Sequence, residues 1–186
     1  MKENGGPGMA RQYGLDIAAR SHIDLVMFLD SDDMLYPNAV YKLTYEINHR
    51  MDDYVITPIS VESQTEPGYT ITAEYASRTW LHGKIFRLDF LTKNNIRFLK
   101  GLRGNEDVNF MLKCSVCTKK ISLLDEPFYL WRDNNSSITR TNGTAKDKIL
   151  SEDYIIAVCE AINFMKERNR PVNDFAHYIL FFYKYY

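Results

Sequence analysis

An apolar run that ends abruptly in acidic residues is the feature that most constrains this sequence. Residues 23–29 read Ile-Asp-Leu-Val-Met-Phe-Leu, and Asp30-Ser31-Asp32-Asp33 follows at once. A short apolar run of this kind is typical of a strand buried on both faces, as in a parallel sheet. Ligands of such sheets usually bind where the strands end. The pattern therefore predicts an α/β fold with a binding site at residues 30–33.

Helical and strand patterns alternate around this run, which favours an α/β layer architecture. Pro7, followed by Met9, Tyr13 and Ile17 at a spacing of four, predicts a helix over residues 9–20 with these side chains on one face. Further helices are predicted at 37–50, 89–94, 106–117, 146–168 and 172–184, and further strands at 54–61, 69–75, 80–87, 121–124 and 128–131.

Length and charge exclude several classes of protein. The chain has 186 residues, of which 45% are hydrophobic and 25% charged, and this suits one folded domain. A net charge of −1 argues against nucleic-acid binding through the phosphate backbone. No apolar run approaches the ~20 residues of a spanning helix. Three cysteines fit a reducing compartment, so we expect a cytoplasmic protein, or one peripheral at the inner face of a membrane.

The acidic cluster has two interpretations on chemistry alone. Three carboxylates within four residues repel each other, and a divalent cation such as Mg²⁺ or Mn²⁺ would relieve that repulsion. The functional interpretation is a site for a metal ion and a diphosphate. The alternative is a solvated turn in which Asp33 caps the next helix.

Two motifs in order carry a resemblance to a known family. Residues 4–18 read N-G-G-P-G-M-A-R-Q-Y-G-L-D-I-A, and residues 23–35 read I-D-L-V-M-F-L-D-S-D-D-M-L. This resembles the inverting, GT-A-fold glycosyltransferases of family 2, whose pattern is N-x-G-x-x-x-A-R-N-x-G followed by F-L-D-x-D-D. Later segments resemble the same family: Trp80 with Lys84–Arg87, Asn105-Glu106-Asp107, and Tyr129 to Ile138.

The resemblance implies a mixed, Rossmann-like sheet flanked by helices. Residues 1–143 would form a GT-A-like core, and residues 144–186 a C-terminal helical extension. Family members normally begin with a strand carrying P-x-Y-N, a helix and a second strand. The residues before Asn4 do not supply that unit, so the expected core lacks the usual first βαβ unit.

The resemblance also implies roles for the acidic cluster. Asp30 would contact the ribose or the sugar of a nucleotide-sugar donor, Asp32 would hold Mn²⁺ or Mg²⁺, and Asp33 would support the site. The cation would neutralise charge that builds on the departing nucleoside diphosphate.

Asp107, with Glu106 beside it, is the candidate general base. An inverting transfer is one displacement at the anomeric carbon, so a carboxylate must take the proton of the attacking hydroxyl. The alternative is that both acids only complement the positive end of a helix.

Four further side chains are candidates by resemblance, each with a plainer alternative. Arg11 would reach the diphosphate or brace the Asp30 loop, or form an ordinary surface salt bridge. Arg132 would help to close over the diphosphate, or belong to a polar loop. Trp80 and His82 would line the acceptor pocket, although Trp80 also suits a core and His82 could instead be a metal ligand.

Aromatic residues make up 13% of the chain and cluster between Phe175 and Tyr186. A late aromatic helix predicts packing on the core or contact in a homo-oligomer. A membrane surface is the weaker interpretation, because Lys184 is the one basic residue in that stretch.

The sequence thus predicts a metal-assisted, inverting glycosyltransferase. It would transfer a sugar from a nucleotide-diphospho-sugar to a hydroxyl of a glycan or similar acceptor. The alternative is a truncated or degenerate glycosyltransferase-like domain that acts as a binding or assembly module.

Overall fold

The computed structural model describes residues 5–65, 68–132, 144–171 and 176. Within these residues the chain forms five helices and eight strands. The helices are α1 (Gly6–Ala18), α2 (Ala39–Arg50), α3 (Leu88–Lys93), α4 (Glu106–Cys117) and α5 (Thr144–Glu167). The strands are β1 (Leu25–Met27), β2 (Met34–Leu35), β3 (Tyr54–Ile56), β4 (Ile59–Thr65), β5 (Gly68–Tyr75), β6 (Lys84–Arg87), β7 (Ile121–Leu123) and β8 (Tyr129–Trp131).

The first sheet contains the strand that precedes the acidic cluster. Its order is β1-β6-β3-β7, in which β3 and β7 are parallel and the other pairs are antiparallel. The prediction of a parallel, doubly buried strand at residues 23–29 is wrong in both respects. Strand β1 pairs antiparallel with β6 at one end of this order, and its residues are half-buried. An apolar run indicates burial but carries no information about the direction of the partner strand.

The second sheet begins directly after the acidic cluster. Its order is β2-β8-β4-β5, with β8 antiparallel to β2 and parallel to β4. The chain passes from β1 in the first sheet to β2 in the second through residues 28–33. The acidic residues therefore lie where the two sheets meet, and β8 brings Tyr129 opposite Leu35.

Aromatic rings fill the core beneath this junction. Phe28 makes edge contacts with Phe86, Phe98 and Phe110 at centroid distances of 6.0, 5.4 and 5.8 Å. Phe98 and Phe110 stack at 4.3 Å. Because Phe28 is two residues from Asp30, this packing fixes the position of the acidic cluster relative to α4.

Helix α1 buries a different face from the predicted one. Tyr13 and Ile17 are 49% and 43% exposed, whereas Gly8, Gln12 and Leu15 are buried. The face with Gln12 is buried because a hydrogen bond holds it there: the Gln12 side-chain carbonyl accepts from the backbone N–H of Phe98 at 2.9 Å. Spacing among apolar residues could not reveal that a glutamine faces the core.

Helix α5 packs along α4 through buried apolar side chains, namely Val108, Leu112, Val158 and Ala161. The predicted aromatic helix at 172–184 lies outside the described residues, apart from position 176. Among the helices that the structure describes, none combines the length and apolar character needed to cross a membrane.

Candidate active site

Asp30 lies at the centre of the site and is held from two sides. Its Oδ1 is 2.5 Å from Nη2 of Arg11, and its Oδ2 is 3.3 Å from Nε2 of His82. The hydrogen bond from His82, aided by the charge of Arg11 and opposed by burial, lowers the pKa of Asp30 to about 2. Asp30 is therefore an anion throughout the physiological range.

Arg11 joins the acidic cluster to the start of α4. Its Nη1 lies 2.5 Å from Oε1 of Glu106, while Nη2 binds Asp30. The side chains are largely buried: the exposed fraction is 16% for Arg11, 9% for Glu106 and 35% for Asp30. The guanidinium thus lies between two carboxylates and weakens the repulsion between them. This is the bracing geometry considered for Arg11 from the sequence.

Asp33 is bound by β8 and by the residue after it, and it does not cap α2. Its Oδ2 accepts a hydrogen bond from the Tyr129 hydroxyl at 2.5 Å, and its Oδ1 accepts one from the backbone N–H of Arg132 at 3.0 Å. The cap of α2 is instead Asn38, in the left-handed conformation. The capping alternative for Asp33 is therefore wrong. Burial raises the pKa of Asp33, against the effect of both hydrogen bonds.

Asp30, Asp33 and His82 form a cluster with the chemistry of a cation site. One potential ligand atom of each lies within 4.8 Å of the others. Two carboxylate oxygens and an imidazole nitrogen suit Mn²⁺, which accepts both donor types. Asp32 is exposed beside this cluster and is not a member of it.

Asp107 is the second residue of α4 and has an environment that favours its neutral form. Burial, followed by the charge of Glu106, raises the pKa of Asp107 to about 6. His82 and Arg11 are close enough to oppose this shift electrostatically. A carboxyl group with a pKa near the working pH is suited to general acid–base chemistry.

Aromatic side chains from the turn before β6 and from β8 surround His82. The rings of Trp80 and Tyr129 lie 6.1 and 5.2 Å from the imidazole, centroid to centroid. Trp80 also meets Trp131 at 6.1 Å in an edge-to-face contact. Trp80 and His82 are thus adjacent.

The structure brings most of the predicted site residues together, but not all. Arg132 donates its backbone N–H to Asp33, while its side chain pairs with Glu62 at 3.6 Å. Residues 133–138, the rest of the segment that resembles the family, lie outside the described residues.

Two residues of the site had no predicted role. Tyr129 is fully buried and donates to Asp33, and burial with that carboxylate holds the pKa of Tyr129 well above its usual range. Lys84 is also fully buried, and its ammonium contacts the turn that carries His82. Both belong to segments that resemble the family, but only their burial shows what they do.

Comparison with known proteins assigns the class that the fold and site suggest. The family model for glycosyl transferase family 2 matches residues 1–104, more than half of the chain. The chain therefore belongs to glycosyl transferase family 2.

Individual relatives agree with this membership. The glycosyltransferase EpsJ of Bacillus subtilis, itself uncharacterized, is 26% identical over 172 residues, which cover 81% of this chain and 49% of EpsJ. The poly(ribitol-phosphate) β-N-acetylglucosaminyltransferase TarS of Staphylococcus aureus is 27% identical over 138 residues, covering 69% of this chain and 24% of TarS. The chain thus spans half or less of the length of these two relatives.

A solved structure confirms the GT-A-like fold. The crystal structure of S. aureus TarS residues 1–349 in complex with UDP-GlcNAc superposes with a TM-score of 0.65 at 18% sequence identity. The match covers 87% of this chain and 47% of that one. The prediction of a mixed α/β GT-A-like core is therefore confirmed.

Proposed function

We propose that this chain carries the catalytic site of an inverting glycosyltransferase that uses a nucleotide-diphospho-sugar and a divalent cation. The observation that carries the proposal is the meeting of Asp30, Asp33 and His82 beside Asp107, which is tuned to a pKa of about 6. The acceptor would be a hydroxyl of a glycan or similar molecule. A UDP-sugar is the first donor to test, because TarS was crystallised with UDP-GlcNAc.

Asp30, Asp33 and His82 are the described residues that fit a Mn²⁺ or Mg²⁺ ion best. Asp30 is already anionic, and His82 presents Nε2 toward both carboxylates, at 3.3 and 4.0 Å. A bound ion would neutralise charge on the nucleoside diphosphate as it leaves. Asp32, the metal ligand expected from the family resemblance, stays a candidate for a further contact from its exposed position.

Asp107 would act as the general base. Its carboxylate would accept the proton of the acceptor hydroxyl as the hydroxyl oxygen bonds to the anomeric carbon. The bond from that carbon to the donor phosphate breaks at the same time, and the diphosphate keeps the electron pair. Trp80 would offer a ring face to the acceptor sugar, beside His82.

Titration with UDP and Mn²⁺, followed by a transfer assay with UDP-sugars, tests the proposal. We expect metal-dependent binding, and transfer that is lost in Asp107→Asn while binding is kept. Asp125→Asn is a matched control, because Asp125 is an exposed acid outside the site. If none of the nucleoside diphosphates binds, the proposal is contradicted and a binding or assembly module is favoured.

The ligand set can be tested separately by following Mn²⁺ binding with electron paramagnetic resonance. If the three-residue cluster holds the ion, His82→Ala and Asp33→Asn should each weaken binding by at least about tenfold. Asp32→Asn should have a smaller effect. The reverse order would restore Asp32 as the principal ligand.

A further inference from the structure

Lys84 is a buried cation surrounded by backbone carbonyl groups. It is the first residue of β6 and is 0% exposed. Its ammonium donates hydrogen bonds to the carbonyl oxygens of Ser77 at 2.6 Å, of His82 at 3.4 Å, and of Trp80. Within the described part of the chain, no carboxylate lies within salt-bridge distance of it.

Burying an ammonium group is costly unless its hydrogen bonds are satisfied. A lysine ammonium has three N–H donors, and three carbonyl oxygens accept from this one. All three donors of the Lys84 ammonium are therefore used within the protein. This arrangement therefore organises the backbone of the turn at residues 77–82.

Two backbone N–H groups of the same turn are bound by a side chain of the turn itself. The hydroxyl oxygen of Ser77 accepts from the backbone N–H of Thr79 at 3.2 Å and of Trp80 at 3.1 Å. At the end of the turn Gly83 has a φ of +65°, and a Cβ there would come within 2.9 Å of the Thr57 carbonyl oxygen. A side chain at position 83 is therefore not accommodated without a shift of the neighbouring atoms.

The turn carries side chains of the proposed site. Its carbonyl at His82 is bound by Lys84, while the imidazole of the same residue reaches Asp30 at 3.3 Å. Its carbonyl at Trp80 is also bound by Lys84, and the indole packs on Trp131. The backbone conformation that brings the carbonyl oxygens of Trp80 and His82 to Lys84 is thus the same one that brings their side chains to Trp131 and Asp30.

We infer that Lys84 is a positioning residue, whose ammonium holds the 77–82 turn in the conformation that brings His82 to Asp30. The effect of this positioning on activity rests on the proposed function. The statement that Lys84 positions His82 does not rest on it, because the position of His82 can be observed without substrate.

Lys84→Met tests the inference, since methionine keeps much of the apolar volume but has no N–H donor. Lys113→Met is the matched control. Lys113 is also buried, pairs with Glu160 at 2.9 Å and donates to the Arg97 carbonyl, outside the site. Both variants lose a buried ammonium, so both should unfold at a lower temperature than the wild type.

The deciding measurement is the ¹⁵N NMR spectrum of the histidine side chains, with His82 assigned from a His82→Ala sample. We expect Lys84→Met to shift or broaden the His82 signals and to weaken Mn²⁺ binding at least tenfold. Lys113→Met should leave the signals in place and binding within twofold. If Lys84→Met does not fold, Lys84→Gln, which retains two N–H donors, replaces it and should give an intermediate change.

Unchanged His82 signals in a folded Lys84 variant would overturn the inference, as would equal changes in the Lys113 variant. Failure of the proposed function would look different. In that case the wild type would bind no nucleoside diphosphate, while the His82 spectra would still report whether Lys84 positions the turn.

Discussion

The Arg11 guanidinium lies 2.5 Å from the Glu106 carboxylate and so connects the middle of α1 to the first residue of α4. Its other terminal nitrogen binds Asp30 at the same distance. One side chain thereby links the proposed donor site to the helix that carries the proposed base.

Removing Arg11 should be more damaging than removing an ordinary salt-bridge partner. Arg11→Met leaves Glu106 and Asp30 facing each other without a cation, so we expect a loss of about 2–4 kcal/mol in the free energy of unfolding. Arg97→Met, which removes a pair with Asp16 that is 52% and 39% exposed, should cost about 1 kcal/mol or less. Urea unfolding measures both; equal effects would contradict the bridging role.

The pH dependence of activity should report Asp107. Because burial and Glu106 raise its pKa to about 6, the base is protonated and inactive below that pH. We expect kcat/KM to rise with pH through about 6 and then level off. Asp107→Asn should lower it by about a hundredfold or more and remove this inflection. An inflection that persists in the variant would assign it to another group.

The same group should make the wild type less stable as pH rises. The pKa of Asp107 is higher in the folded chain, about 6 against 3.8, so folding takes up a proton between these values. The free energy of unfolding then falls between about pH 4 and 6. Asp107→Asn should exceed the wild type in stability by about 1–3 kcal/mol at pH 7 and match it below pH 4. Thermal unfolding of both proteins across this pH range measures the difference in stability, and a difference that does not change with pH would contradict the prediction.

Tyr129→Phe should loosen the acidic cluster while keeping the ring packing. The variant loses the hydrogen bond to Asp33, at 2.5 Å, and the one accepted from the backbone N–H of Asp30. We expect a loss of about 1–3 kcal/mol in the free energy of unfolding and weaker Mn²⁺ binding. Tyr13→Phe changes an exposed tyrosine and is the control. Unaltered Mn²⁺ binding in Tyr129→Phe would show that the hydroxyl does not orient Asp33.

Two glycines of α1 offer a matched test of the contact between α1 and α4. A Cβ at Gly14 meets nothing within 4 Å, so Gly14→Ala should stabilise the helix by about 0.5–1 kcal/mol. A Cβ at Gly8 would lie 3.1 Å from the Cβ and Cγ of Glu106. Gly8→Ala should therefore lose this gain and reduce activity by displacing Glu106. Equal stabilisation at both positions, measured by thermal unfolding, would argue against a close contact there.

Local signals in the sequence located most of the elements. The helix expected at 106–117 is found at Glu106–Cys117, and the strand expected at 69–75 is found at Gly68–Tyr75. The strand expected at 54–61 is instead interrupted at Thr57 and Pro58, so that β3 and β4 belong to different sheets. Proline lacks an N–H, which indicates a break but not the sheet that each half joins.

The sequence indicates which segments are helices or strands better than it indicates which side chains pair with each other. At the start of α3, for example, the cap is Arg87, and Asp89 lies in the first turn and pairs with Lys93 at 2.7 Å. Gln12 and Tyr129 carry polar groups that point into the interior, where each meets a partner distant in sequence. Residue type and spacing do not encode such pairs.

The sequence by itself determined the chemistry that is available: an acidic cluster after an apolar strand, acids at the start of a helix, and motifs in the order of a known family. Only the tertiary structure decided which of these groups meet. Arg11 reaches a carboxylate 95 residues away, and His82 reaches one 52 residues away, because two sheets and α4 converge at residues 28–33. The physical reason is that local propensity acts over a few residues, whereas burial and charge pairing act between any surfaces that folding brings into contact.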